Sequence, residues 1–109
     1  MAVVIVDAEN VRRSLWPNLS PTELVDRARA WAADEGHELR IVFDGEAPEQ
    51  APDLVSSRYG DDEIVGIANE QRAPTWVVTS DRALRDRLPE SVERVIGGGT
   101  FARLLGERR

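Results

Sequence analysis

Apolar positions along this chain fall into two alternating patterns. Five short segments are apolar and β-branched: residues 2–6 (AVVIV), "ELRIVF", "DLVSS", "TWVVT" and "VERVI". Each is bounded by turn formers, which predicts strands. Between them, apolar residues recur at helical spacing. In "SPTELVDRARAWAADEG", Leu24, Ala28, Trp31 and Ala32 form one stripe. Ser20 is the N-cap, Pro21 the first helical residue and Glu23 the second half of a capping box, and Gly36 closes the helix. "GDDEIVGIANEQRA" predicts another helix, with Asp61 near its N-cap and Ile64, Ile67 and Ala68 inward. "DRALRDRL" is a short helix. Residues 97–99 (GGG) read as a flexible turn, with Thr100 capping a last helix that carries Phe101, Leu104 and Leu105. Residues 46–52 read as a loop, and so does the stretch between Asp7 and Ser20.

The predicted order is β-α-β-β-α-β-α-β-α, with no internal repeat or linker, so residues 1–109 form one domain. Apolar strands alternating with helices imply an α/β fold with a mostly parallel sheet covered on both faces. In such sheets ligands bind beyond the carboxyl ends of the strands, where strand order reverses. Asp7, Asp44 and Asp81 each follow an apolar strand, and Asp61 opens the helix after the third. The pattern predicts four carboxylates on one edge. Taken singly, each is equally accounted for as a cap. Taken together they repel, and one would stay protonated unless a cation joined them. Oxygen ligands of this kind suit Mg²⁺ or Mn²⁺.

Composition narrows the chemistry. The 109 residues carry a net charge of −6, which argues against non-specific coating of DNA. All 14 basic residues are Arg, so lysine Schiff bases, a P-loop lysine and the lysine of a phospho-receiver site are excluded. Cysteine is absent, which removes disulfides and thiolate metal sites and fits the cytoplasm. No apolar run is long enough to cross a bilayer, and Met1 leads into a strand without signal-peptide character. His37, the only histidine, reads as a surface residue after a helix C-terminus.

Five motifs in order, "VIVDAEN", "IVFDG", "YGDDEI", "VVTSD" and "GGGTFARLL", resemble the NYN-domain proteins of the PIN-like nuclease superfamily, especially the YacP-like branch. The resemblance covers nearly the whole chain. It implies a three-layer α/β sandwich with strand order 3-2-1-4-5 and a metal-dependent ribonuclease. By this likeness Asp7, Asp44, Asp61 and Asp81 are the catalytic, metal-binding acids, with Asp62 a further ligand. Asn10 matches the amide of the first motif, and Thr79 and Ser80 bind phosphate or orient ligands. The implied cofactor is Mg²⁺ or Mn²⁺. The implied partner is RNA, free or within the ribosome or another ribonucleoprotein. The chain departs from the pattern at Ala8, where glycine is usual, and at Val65, where the YacP-like branch often has an acid. A module that binds RNA without cutting it is the alternative.

Arg12, Arg13, Arg58, Arg82 and Arg85 lie close in sequence to the acids. Arg58 and Arg82 flank motifs and are the best candidates for RNA phosphates. Trp16 reads as packing for the loop after the first strand. Trp31 and Trp76 read as core.

Overall fold

A computed structural model describes residues 1–107. It contains β1 (Val3–Asp7), α1 (Ala8–Arg13), α2 (Pro21–Glu35), β2 (Glu38–Asp44), β3 (Leu54–Ser57), α3 (Gly60–Glu70), β4 (Thr75–Val78), α4 (Arg82–Arg87), β5 (Val92–Ile96) and α5 (Gly98–Gly106). The five strands form one sheet, all pairs parallel, in the order β3-β2-β1-β4-β5. This is the architecture and strand order expected from the sequence. β1 is central, and alternate residues of the strands serve opposite faces. Val4, Val6, Ile41 and Phe43 pack with α1, α2 and α5 through Val11, Leu24, Trp31 and Phe101. Val3, Ile5, Val42 and Val77 pack with α3 and α4 through Ile64, Ala68 and Leu84. Two dry layers explain why the strands read as continuous apolar runs.

Helix α2 is as the sequence predicts. Ser20 Oγ accepts from the Glu23 N–H at 3.1 Å, the reciprocal half of the capping box is present, and Gly36 ends the helix at φ 74°. Elsewhere the boundaries differ. The stretch after β1 is not all loop: residues 8–13 form α1, which buries Ala8 and Val11. Helix α3 is capped by Tyr59 rather than Asp61, and ends at Glu70. Helix α5 begins at Gly98, so the glycine run is its first turn and Thr100 caps nothing. Leu104 is exposed there, while Phe101 and Leu105 are buried.

Three aromatic expectations also change. Trp16 is 88% exposed and packs into no core. Trp31 is buried, but Trp76 is only partly so, donating from Nε1 to Glu93 at 3.1 Å with the Arg94 guanidinium over its ring. His37 is not a free surface residue. It packs between Trp31 and Trp76, and its Nδ1 accepts the Ala2 N–H at 3.0 Å. No helix among the described residues is long and apolar enough to cross a membrane.

Candidate active site

The strand order reverses at β1, because the chain leaves it for β2 on one side and returns to β4 on the other. Asp7 ends β1, Asp44 ends β2, and Asp81 follows β4 to start α4. Asp61 lies in the first turn of α3, where the helix dipole favours an anion. All four line one open cavity of about 650 Å³, with Glu9, Asn10, Arg13, Ser80 and Gly99. Its position is the crevice where ligands bind in open α/β sheets. Gly45 turns the chain immediately after Asp44 at φ 111°, a conformation an L side chain rarely adopts.

The acids are not equivalent. Asp81 is a working cap: its Oδ1 accepts the Leu84 N–H at 3.2 Å. Asp7 occupies the N-cap position of α1, and its Oδ2 accepts the Thr79 hydroxyl at 2.9 Å. Burial pushes the Asp7 carboxyl above the usual range. The Thr79 and Asn10 donors oppose this, and the Asp61 and Asp81 charges add to it. Asp61 is raised too, by burial and then by Asp81, with Arg87 opposing. Burial is the larger cause of both shifts, and the neighbouring carboxylates add to it.

A second set of contacts locks the loops around the acids. The fully buried Thr79 Oγ1 accepts the Asp81 N–H at 3.1 Å while donating to Asp7, so one hydroxyl ties the ends of β1 and β4 together. Asn10 Oδ1 accepts the Ser80 N–H at 2.9 Å, and Ser80 Oγ accepts the Gly98 N–H at 2.7 Å. This chain joins α1, the β4–α4 turn and α5. Gly98 is buried against Asn10, and a Cβ there would overlap the Asn10 side-chain oxygen. The glycine run is therefore a close-packing device.

Several sequence-predicted residues stand elsewhere. Thr79 does not reach the cavity; it is buried beneath the acids and orients them. Arg82 is exposed and lines neither this cavity nor its neighbour. Asp62 lies in the adjoining cavity, where Arg87 holds it at 2.6 Å. Arg58 lines that second cavity as well. Glu9, Arg13 and Gly99 do line the main cavity, although sequence reading gave them no part in its acid cluster. Glu9 is balanced by Arg12 at 2.8 Å and Arg13 at 3.4 Å, and Arg13 is 70% exposed. The signal for Glu9 and Arg13 is the short polar segment directly after Asp7, whose six residues show no helical period in sequence.

The four aspartates share a cavity without closing on one point. Among the described residues, no group of three or more Asp, Glu, His or Cys side chains is arranged to hold a metal ion. The donor set still fits a hard divalent ion. Every candidate ligand is oxygen, and Mg²⁺ keeps several waters and needs only one or two carboxylates. The chain matches no known family model, no curated protein and no solved structure.

Proposed function

We propose that this chain is a metal-dependent ribonuclease of PIN-like kind, hydrolysing RNA phosphodiester bonds with Mg²⁺ or Mn²⁺. The reading is supported above all by four aspartates, delivered by four different segments, around one cavity at the strand-order reversal. One or two of Asp7, Asp44, Asp61 and Asp81 would hold the ion, with the Asp7 carboxylate fixed by Thr79 and that of Asp81 by the Leu84 N–H. When bound, such an ion supplies positive charge to the scissile phosphate and eases deprotonation of the attacking water.

The other roles belong to the chain itself. Asn10 has its Oδ1 engaged by the Ser80 N–H, which turns its amide N–H₂ toward a phosphate oxygen or the attacking water. Arg13 on the cavity wall supplies a guanidinium for a phosphate. We assign this activity to the cytoplasm, with RNA, free or in a ribonucleoprotein, as the substrate.

The test is cleavage of single-stranded RNA in Mn²⁺ by wild type, Asp7→Asn and Asp81→Asn. The variants are expected to lose activity; variants that cut as fast as the parent would remove these residues from the mechanism. A second reading is an RNA-binding module that does not cut. It is favoured by the absence of a ready-made ligand group among the described residues. Calorimetric titration separates the two. Mn²⁺ binding lost in Asp7→Asn supports the nuclease. No Mn²⁺ binding, with RNA binding retained in EDTA, supports the module.

A further inference from the structure

The acid cavity opens into a second one of about 350 Å³, and the two share Asp44, Gly60 and Asp61. The second differs in character. Its rim carries Arg58, Tyr59 and Arg87. Tyr59 is 65% exposed, one of few large hydrophobic side chains on the surface. It is not loosely held there. Its N–H donates to Ser57 Oγ at 3.1 Å and its carbonyl accepts the Glu63 N–H at 3.0 Å, starting α3. Arg58 is exposed and has no ion pair among the described residues. Arg12, Arg27, Arg29 and Arg40 have carboxylate partners; Arg72, Arg82, Arg85, Arg94 and Arg103 share the lack of an ion pair, but of these six unpaired arginines only Arg58 lines either acid cavity.

We infer that this second cavity is a nucleotide subsite, in which Tyr59 stacks the base next to the scissile phosphate and Arg58 holds that nucleotide's own phosphate. The inference rests on the nuclease reading and extends it to how the strand is held. An aromatic ring on a rigid backbone offers a π-face to any base. An unpaired guanidinium beside it offers bidentate contact to phosphate. Neither group suits an acidic cavity that takes metal alone, and together they match the repeating unit of a single-stranded polynucleotide. Arg87 is paired with Asp62 on the same rim, which leaves Arg58 as the guanidinium there without a carboxylate partner among the described residues. The groove beside Trp16, lined by Arg12, Arg27 and Arg103, is the weaker candidate, since Arg12 and Arg27 are already paired within their helices and it shares no residue with the main cavity.

The experiment measures fluorescence anisotropy of a labelled oligouridylate with the full chain, with Ca²⁺ present to neutralise the acids. Wild type, Tyr59→Phe, Tyr59→Ala and Arg58→Ala are compared, and thermal melting checks that each is folded. Tyr59→Ala is expected to raise Kd about 5- to 100-fold, the range that loss of one stacked base gives. Tyr59→Phe stays within about two-fold, because the ring is kept. Arg58→Ala is expected to weaken binding and flatten its salt dependence. An oligonucleotide with one abasic position, moved along the strand, should lose affinity for wild type at one register and not for Tyr59→Ala. Wild-type binding with no change in Tyr59→Ala overturns the subsite and leaves the nuclease reading intact. A wild type that neither binds nor cuts the RNA overturns both.

Discussion

The two ends of the sheet hold carboxylates by opposite means. At the amino end, Asp53 just before β3 receives two hydrogen bonds from the Arg29 guanidinium, at 2.8 and 2.9 Å. That pair holds the Asp53 carboxyl below its usual range and Arg29 above its own. Glu38 has Arg40 at 2.8 Å. At the carboxyl end, Asp7 and Asp61 are raised, and what holds their loops is hydrogen bonding by the uncharged side chains of Thr79, Asn10 and Ser80. One end neutralises its acids with arginine as ordinary structural charges. The other gathers Asp7, Asp44, Asp61 and Asp81 around a cavity with no arginine ion pair to any of them among the described residues, and burial with added repulsion raises Asp7 and Asp61, at a cost in stability. Strain of this kind gathers at functional sites and is upheld by the surrounding structure.

The largest expected effect comes from breaking the scaffold of the carboxyl end. Gly98→Ala drives a Cβ into the Asn10 side-chain oxygen, so the Asn10 side chain must give way and the Asn10–Ser80–Gly98 chain opens. Forced overpacking costs about 1–3 kcal/mol. Gly66→Ala is the control: nothing lies within 4 Å of its Cβ, and it sits inside α3. It should stabilise by about 0.5–1 kcal/mol. Denaturant midpoints for both variants decide it. Equal midpoints would mean that the close contact at Gly98 is not needed.

How much of this was legible in the sequence differs between the two ends. Strands were visible because both faces are buried, which gives uninterrupted runs such as residues 3–6. Helix α2 was visible because its caps are local chemistry. The arrival of Asp7, Asp44 and Asp81 at one edge followed from parallel connections, since every parallel strand delivers its last residue to the same side. The strand order came only from family resemblance, because periodicity carries no information about which strands neighbour each other. Helix α1 was missed because six residues hold too few apolar positions to show a period. The start of α5 was missed because glycine disfavours helices locally, and what overrides that is a tertiary contact with Asn10. Arg58 and Arg82 looked alike beside their motifs, and only three dimensions separate the one that lines a cavity from the one that does not.

A smaller effect is expected at the amino end. Arg29→Ala removes the partner of Asp53, and because both side chains remain partly exposed, solvent screening limits the loss to about 1 kcal/mol. Its pH dependence has a definite sign. The folded pKa of Asp53 lies below its unfolded value, so the stabilisation is present above the ordinary carboxylate range and is lost as pH falls through the lowered folded pKa. Wild type and Arg29→Ala should therefore differ in Tm at pH 7 and converge in acid. A difference that persists unchanged to low pH would trace the loss to packing of the arginine stem instead.

The smallest effect carries the opposite sign and is the most direct test of the contrast. Asp7 has its folded pKa raised above the unfolded one, so the folded state binds more protons between the two values. Stability then falls as pH rises from the ordinary carboxylate range through the raised pKa, and the deficit is complete above it. Asp7→Asn keeps an oxygen to accept the Thr79 hydroxyl and removes the repelling charge. In EDTA at pH 7 the variant should melt about 1–4 °C above its parent, with the gap closing as pH is lowered. Adding Mn²⁺ should lift the parent and not the variant, since an ion bound only to the folded state stabilises it by mass action. A variant that melts below its parent in EDTA would make Asp7 an ordinary stabilising residue like Asp53, and the two ends of the sheet would no longer differ in kind.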